Sequence, residues 1–180
     1  MEILRTQVIA ETKHLNLNMT SYVNNKGAIG EWVWVERPND THAVVIAAMV
    51  EDKLVLIREF RIPIGDYEWG IPAGLVDLGE KPETTVIREL KEETGLDFDS
   101  WKRPISPIIY STAGITNEGT YMAFVNAKGS LSNKGNEATE DIQTFLVDRV
   151  EARSILKDHS VKIGAKAYFI LDRFATFGDI

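Results

Sequence analysis

The chain of 180 residues contains no cysteine, so a disulfide framework and a thiolate metal centre are both excluded. Histidine is scarce. His14, His42 and His159 are scattered and share no metal-ligand spacing, and no role is assigned to them. Basic residues are outnumbered, 20 against 27 acidic, for a net charge of −7 and a pI near 5.0. That balance argues against broad nucleic-acid binding, which needs a cationic surface to displace counterions. It leaves open a small anionic substrate, because a bound divalent cation can reverse the local sign. No apolar run approaches the roughly 20 residues needed to cross a bilayer. The opening "MEILRTQVIAETKH" carries acidic residues and no signal-peptide h-region, and the expectation is a cytoplasmic protein without membrane association.

What is present fits one domain with a sizeable core, at 44% hydrophobic and 26% charged residues. Repeats, low-complexity tracts and long linkers are missing. "ILRTQVIAET" and "HLNLNMTSYVNN" alternate apolar and polar residues as strands do, and "EWVWVERP" is a third such segment, closed by Pro38. "HAVVIAAMVEDKLVLIREFRIP" reads as two strands around the turn Glu51-Asp52-Lys53, and "YMAFVNAKG" and "IQTFLVDRV" as two more. A helix is predicted from about Pro82, suited to the first helical position, to Gly95, suited to the position just past the end. The last 30 residues read as two helices. Many strands, one isolated central helix and terminal helices predict an α+β mixed sheet with helices on its faces.

The central helix carries an anomaly. In "RELKEETG", residues 88–95, Glu89, Glu92 and Glu93 cluster within about 100° of one another, beside a face of Val86, Ile87, Leu90 and the Thr94 methyl. Like charges at such spacing lower helix stability by a few tenths of a kcal/mol per pair. A solvated acidic face is the ordinary explanation of a charge run. Upstream, however, "GIPAGLVDLGE" feeds a glycine-rich turn into the helix. The two segments together place Gly74, five residues, Glu80, seven residues, then Arg88-Glu89-Leu90-Lys91-Glu92-Glu93-Thr94-Gly95-Leu96.

This arrangement resembles the Nudix hydrolase signature G-x5-E-x7-R-E-U-x-E-E-x-G-U, with U aliphatic, at every defined position. Seven fixed residues make a chance match a roughly 10⁻⁸ event per window. The resemblance implies an α/β/α sandwich, with a mixed sheet and a central catalytic loop-helix, over residues 36–180. Residues 1–35 form a strand segment outside it, expected to build a homodimer. The resemblance also implies a metal-dependent enzyme using Mg²⁺ or Mn²⁺, oxygen-ligated cations that screen phosphate charge and acidify a bound water. Glu89 and Glu93 are then principal metal ligands with Glu92 beside them, and the Ala73 carbonyl is a further one. Arg88 is structural, pairing with Glu80 or a neighbouring carboxylate, while Gly74 and Gly95 shape the motif.

The flanking segments are similar to the ADP-ribose and nucleoside-diphosphate-sugar pyrophosphatases of that family. In "LIREFRIPIGDYEWGIPAG", Arg61 and Arg58 are candidates for diphosphate or ribose contacts, since guanidinium suits bidentate oxygen recognition. "YSTAGITNEGTYMAFV" retains Gly114, Thr116, Asn117 and Glu118 of a stretch common in that group, with Ala113 where the group has proline; Gly114 and Glu118 are candidate substrate contacts. Gly70 replaces the group's glutamate ahead of the "PAG" turn. "GNEATEDIQTF" is similar to an acidic loop that completes the site. There Glu140 aligns with the carboxylate that reaches a metal or activates water, and Glu137 is the alternative base. Trp32 and Trp34 share a strand face, where each either packs in the core or stacks on the nucleotide base. The expected substrate is a nucleoside diphosphate sugar such as ADP-ribose or GDP-mannose, cleaved to a nucleoside monophosphate and a sugar phosphate. Alternatives are a dinucleoside polyphosphate or nucleoside triphosphate hydrolase and, from another class, a non-catalytic nucleotide-sugar sensor.

Overall fold

The structure, a computed structural model, describes residues 1–136 and 139–180. Its centre is strand β4 (Ala43–Val50), whose sequence AVVIAAMV is an unbroken apolar run. Such a run forms a strand buried on both faces rather than one alternating with solvent, and residues 44–49 are all buried. Strand β5 (Lys53–Arg61) returns antiparallel from a tight turn in which Glu51 takes a left-handed φ of 56°.

The strands on either side extend a mixed nine-stranded sheet. β6 (Asp66–Gly70), β7 (Ala73–Leu75), β8 (Asp97–Arg103) and β9 (Ile109–Tyr110) precede β10 (Gly119–Lys128), which runs parallel to β4. β11 (Ile142–Val147) pairs with β5, and the short β12 (Lys162–Ile163) with β6. Helix α1 (Pro82–Thr94) packs Val86 and Leu90 on one face, against Val44, Ile46, Ala48, Val55, Ala123 and Val125. Helices α2 (Arg149–Lys157) and α3 (Ala165–Phe177) cover the other, where Leu171 and Phe174 meet Val45, Ala47, Leu56, Met122 and Phe124. The result is the expected α/β/α sandwich. Burying each such side chain contributes about 1.5–3 kcal/mol, and truncating Leu90, with no exposed surface, to alanine would cost about 2–5 kcal/mol.

Helix α1 follows its signals closely. Pro82 opens it and Gly95, at φ 75°, closes it with its N–H donated to the Lys91 carbonyl. One detail differs from the predicted apolar face: Ile87 is exposed and Thr85 is buried in its stead. Thr85 goes inside because its hydroxyl donates to Glu80, 2.7 Å away, which makes it part of the loop-to-helix junction.

Ahead of the sandwich, β1 (Glu2–Glu11), β2 (Asn16–Val23) and β3 (Ile29–Glu36) form a separate three-stranded antiparallel sheet. β1 is exposed along almost its whole length and on both faces. Two backbone features tie β3 to the loop before β10: the Val35 N–H donates to the Ile115 carbonyl at 2.7 Å, and Val35 bridges Thr116.

One feature of the central sheet makes the site. β4 and β5 are paired only near their turn, at Met49–Leu54 and Val50–Lys53. Beyond it they separate, β5 continuing with β6 and β11 while β4 takes up β7 through Ala43–Leu75, Val44–Gly74 and Val45–Ala73. A cleft opens where the strands part.

Candidate active site

The glutamate helix meets this cleft through β7. The Ile46 N–H donates to the Pro72 carbonyl and the Val76 N–H to the His42 carbonyl. In an antiparallel ladder such bonded pairs alternate with non-bonded ones, so the N–H and carbonyl of Ala73 face away from β4. The N–H is taken up by Glu93 Oε2 at 3.0 Å. The Ala73 carbonyl shares that orientation, which is the geometry a backbone cation ligand needs. Gly74 is required for a different reason: a methyl group built on its Cα would overlap the Glu89 carboxylate, which lies against the bare backbone.

Arg88 answers the repulsion within the acidic cluster. Its guanidinium reaches Glu89 at 2.6 Å, Glu92 at 3.1 Å, Glu80 at 3.1 Å and the Leu75 carbonyl at 3.2 Å. Hydrogen bonds from Arg88 and then Thr85 hold Glu80 below its ordinary pKa, and Arg88 is raised in turn. The predicted Arg88–Glu80 pair is therefore present, and it anchors the loop to the helix.

Two acids are held in the opposite sense. Glu93, 6% exposed, is pushed up from 4.5 to about 8, mainly by burial and against the opposing Ala73 N–H. Glu89 is raised as well, by burial ahead of the lowering effect of Arg88. Carboxylates whose charged forms are disfavoured by burial, lying beside a carbonyl turned the same way, form a hard oxygen donor set suited to Mg²⁺ or Mn²⁺. Among the described residues no three acidic or imidazole groups converge as a ready-made cation site. The contacts show why: Arg88 occupies Glu89 and Glu92, and Glu93 is turned toward the Ala73 N–H.

The cleft encloses about 580 Å³. Ala73, Gly74, Arg88, Glu89, Glu92, Glu93, Glu118, Glu140 and Arg61 line it, so one space gathers residues from segments as far apart as 61 and 140. Glu137 lies outside the described residues. Arg61 pairs with Glu59 at 2.8 Å and Glu68 at 3.6 Å and remains half exposed. Glu118 pairs with Arg37, which also lines the cleft.

Four candidates stand elsewhere in this chain. Arg58 stacks its guanidinium 4.9 Å above the ring of Tyr67, whose hydroxyl donates to Asp141. Arg58 and Arg61 are an odd number of residues apart on one strand, so they point to opposite faces. Trp34 donates its indole N–H to Thr20 within the N-terminal sheet, and Trp32, 51% exposed, donates to the Gly114 carbonyl at 3.0 Å. Gly114 thus serves the junction with that sheet and is not part of the cleft wall.

Among the lining residues that escape sequence reasoning, four have polar side chains: Arg37, Thr120, Lys166 and Asp77. Only Arg37 had a local signal, as the charge where an amphipathic strand ends. Lys166 comes from the start of α3, and among the described residues its side chain has neither an ion pair nor a hydrogen bond. Glu59, raised mainly by burial, also feels Glu140 and Glu68. The same alternation that separates Arg58 from Arg61 would have placed Glu59 beside Arg61.

Comparison with known proteins agrees with this geometry. A model of the NUDIX domain matches residues 40–163. The chain is 29% identical over 132 residues to an ADP-sugar pyrophosphatase of Mus musculus, a match covering 68% of this chain and 60% of that protein. It is 30% identical over 128 residues to an ADP-ribose pyrophosphatase of Bacillus subtilis, covering 70% and 68%. A crystal structure of an ADP compounds hydrolase aligns over 94% of this chain and 89% of the other, with a TM-score of 0.73 at 20% identity, a likeness of fold. With its complete motif set in the sandwich that the motif requires, the chain belongs to the Nudix family of hydrolases, enzymes that cleave phosphoric anhydride bonds.

Proposed function

We propose that this chain hydrolyses the diphosphate of a nucleoside diphosphate sugar, ADP-ribose or a close relative, to a nucleoside monophosphate and a sugar phosphate. The observation that carries this reading is the make-up of the cleft. Its 580 Å³ set the acidic α1 surface facing three cations from other elements, Arg37, Arg61 and Lys166. A drug-sized ligand fits such a volume. The relatives named above act on ADP-sugars and ADP-ribose. A cysteine-free chain suits a cytoplasmic enzyme.

Glu89, Glu93 and the Ala73 carbonyl would hold a divalent cation, with Glu92 and Glu140 within the same acidic wall. Bound there, Mg²⁺ or Mn²⁺ supplies charge screening for the diphosphate and acidifies a coordinated water. Arg61 binds diphosphate oxygens; its half-exposed pairs with Glu59 and Glu68 are weak and exchange readily for a phosphate. Glu118 and Arg37 hold one another in place and present a hydrogen-bonding edge to the sugar. Glu140 accepts the proton of the attacking water. It lies near enough to Glu59, Glu89 and Glu93 for its negative charge to raise all three, which sets it beside the proposed cation ligands. Glu137 is the alternative base.

The N-terminal sheet builds a homodimer in this reading. A strand exposed on both faces, carrying Ile3, Leu4, Val8 and Ile9, is an unprotected apolar edge that a second copy would cover. Trp32, exposed on the same sheet, is then placed to stack on a base in the partner's cleft. The deciding experiment is a panel of ADP-ribose, GDP-mannose, other nucleoside diphosphate sugars, NADH and ATP, run with Mg²⁺ and with EDTA and read by product identity. Release of AMP from ADP-ribose only with Mg²⁺ is expected. Turnover confined to ATP, or none on any member, would remove the reading.

A further inference from the structure

Thr120 is the second residue of β10. It is 1% exposed and lines the cleft, and its buried hydroxyl has no hydrogen-bond partner among the described residues. Its backbone is flanked by Ala43 of β4 on one side and Ile109 of β9 on the other, so neither neighbouring side chain offers a polar atom. Two positions earlier Glu118 is paired with Arg37, and two positions later Met122 belongs to the core. Along this stretch the chain passes from paired charge to packed hydrocarbon, and Thr120 stands at the changeover.

A hydroxyl in such a position is costly. Buried polar side chains in folded proteins almost always find a partner, and one that does not forfeits its hydration for nothing in return. Valine has the same shape and would fill the site without penalty. Thr120 lines the cleft, so a group that satisfies the hydroxyl can be supplied from there. Hydrogen-bond partners abundant in a nucleoside diphosphate sugar are phosphate and sugar oxygens.

We infer that Thr120 is a substrate-binding residue, its hydroxyl donating to a phosphate or sugar oxygen of the bound nucleotide sugar. The inference rests on the proposed substrate class and deepens it: the cleft prefers an oxygen-bearing group at its inner end and discriminates against an apolar one there.

The experiment compares Thr120→Val and Thr120→Ser with the unaltered enzyme. Thermal stability without ligand is measured first, then stabilisation by AMP and by ribose 5-phosphate separately, and then kcat and KM on ADP-ribose. T120V is expected to melt at or above the wild-type temperature when ligand-free, because an unsatisfied hydroxyl has been removed. It should raise KM about five- to tenfold, the range for one neutral hydrogen bond, with kcat little changed. T120S, which keeps the hydroxyl, should return KM to within twofold of wild type. Loss of stabilisation by AMP alone assigns the contact to the nucleotide half, and by ribose 5-phosphate alone to the sugar half. Unchanged KM and ligand stabilisation in T120V overturn the inference, as does a T120S enzyme as weak as T120V. A ligand-free melting point lowered by T120V assigns the hydroxyl a purely structural role and also overturns it. Wild-type enzyme inert toward every nucleotide sugar would instead overturn the substrate reading, while the AMP and ribose 5-phosphate arms still judge the hydroxyl.

Discussion

Replacing Glu93 by glutamine isolates the tension between folding and chemistry in this site. The side chain is 6% exposed, accepts from the Ala73 N–H, and has its pKa pushed from 4.5 to about 8, chiefly by burial. Folding therefore takes up a proton at this position. The associated stability is fully present below pH 4.5, declines as pH rises, and is gone once pH passes 8. At 1.36 kcal/mol per pH unit, the whole interval corresponds to about 5 kcal/mol, and its portion up to pH 7 to about 3 kcal/mol. Glutamine keeps the acceptor for Ala73 and cannot ionise. In EDTA, E93Q should match wild type near pH 4.5, exceed it by about 3 kcal/mol at pH 7, and gain little more above pH 8. For a domain of this size, 3 kcal/mol is about 6–12 °C in melting temperature. The assay is chemical or thermal unfolding across pH 4.5–9 for both proteins. Mg²⁺ should then stabilise wild type much more than E93Q, because glutamine removes one of the negative charges that the cation neutralises, and E93Q should lose turnover. Parallel pH–stability curves would refute the burial argument; full activity in E93Q would refute the metal assignment.

The other expectations concern single groups. Glu140→Gln should lower kcat at least a hundredfold with KM changed less than threefold, in steady-state kinetics on ADP-ribose, as removal of a general base does. Gly74→Ala should fold but lose most activity, since its new methyl displaces the flexible Glu89 carboxylate; far-ultraviolet circular dichroism checks the fold and Mg²⁺ titration the lost site. Lys166→Met should raise KM about tenfold with little effect on stability, because this cation has no acidic partner among the described residues to forfeit. Light scattering should give twice the chain mass for the intact protein, and monomers once residues 1–36 are removed.

How much of this was legible in the sequence depends on how local the cause was. Helix α1 and its ends followed from Pro82, Gly95 and the 3.6-residue period, because capping and periodicity act within a few residues. The motif's acids, with Gly74 and Arg88, were readable because their roles are set by spacing along one loop and one helix. The two-sided burial of β4 could be read from its apolar run. Pairing choices were beyond reach: nothing in AVVIAAMV or KLVLIREFR says that β4 and β5 part after Leu54, and that parting opens the cleft. Arg58 was drawn toward the substrate by its likeness to Arg61, whereas strand alternation sends it to Tyr67. Trp32 and Gly114 were singled out separately, and only the fold makes them partners across 82 residues.

The sequence by itself determined the chemistry, a carboxylate cluster on a capped helix behind a glycine turn, because those contacts lie within about twenty residues. Tertiary structure decided what faces that cluster. Arg37, Thr120, Glu140 and Lys166 reach one cavity from four separate segments of the chain. Such convergence depends on which strands pair and where they separate, long-range choices settled by packing of the whole core and carried by no local pattern.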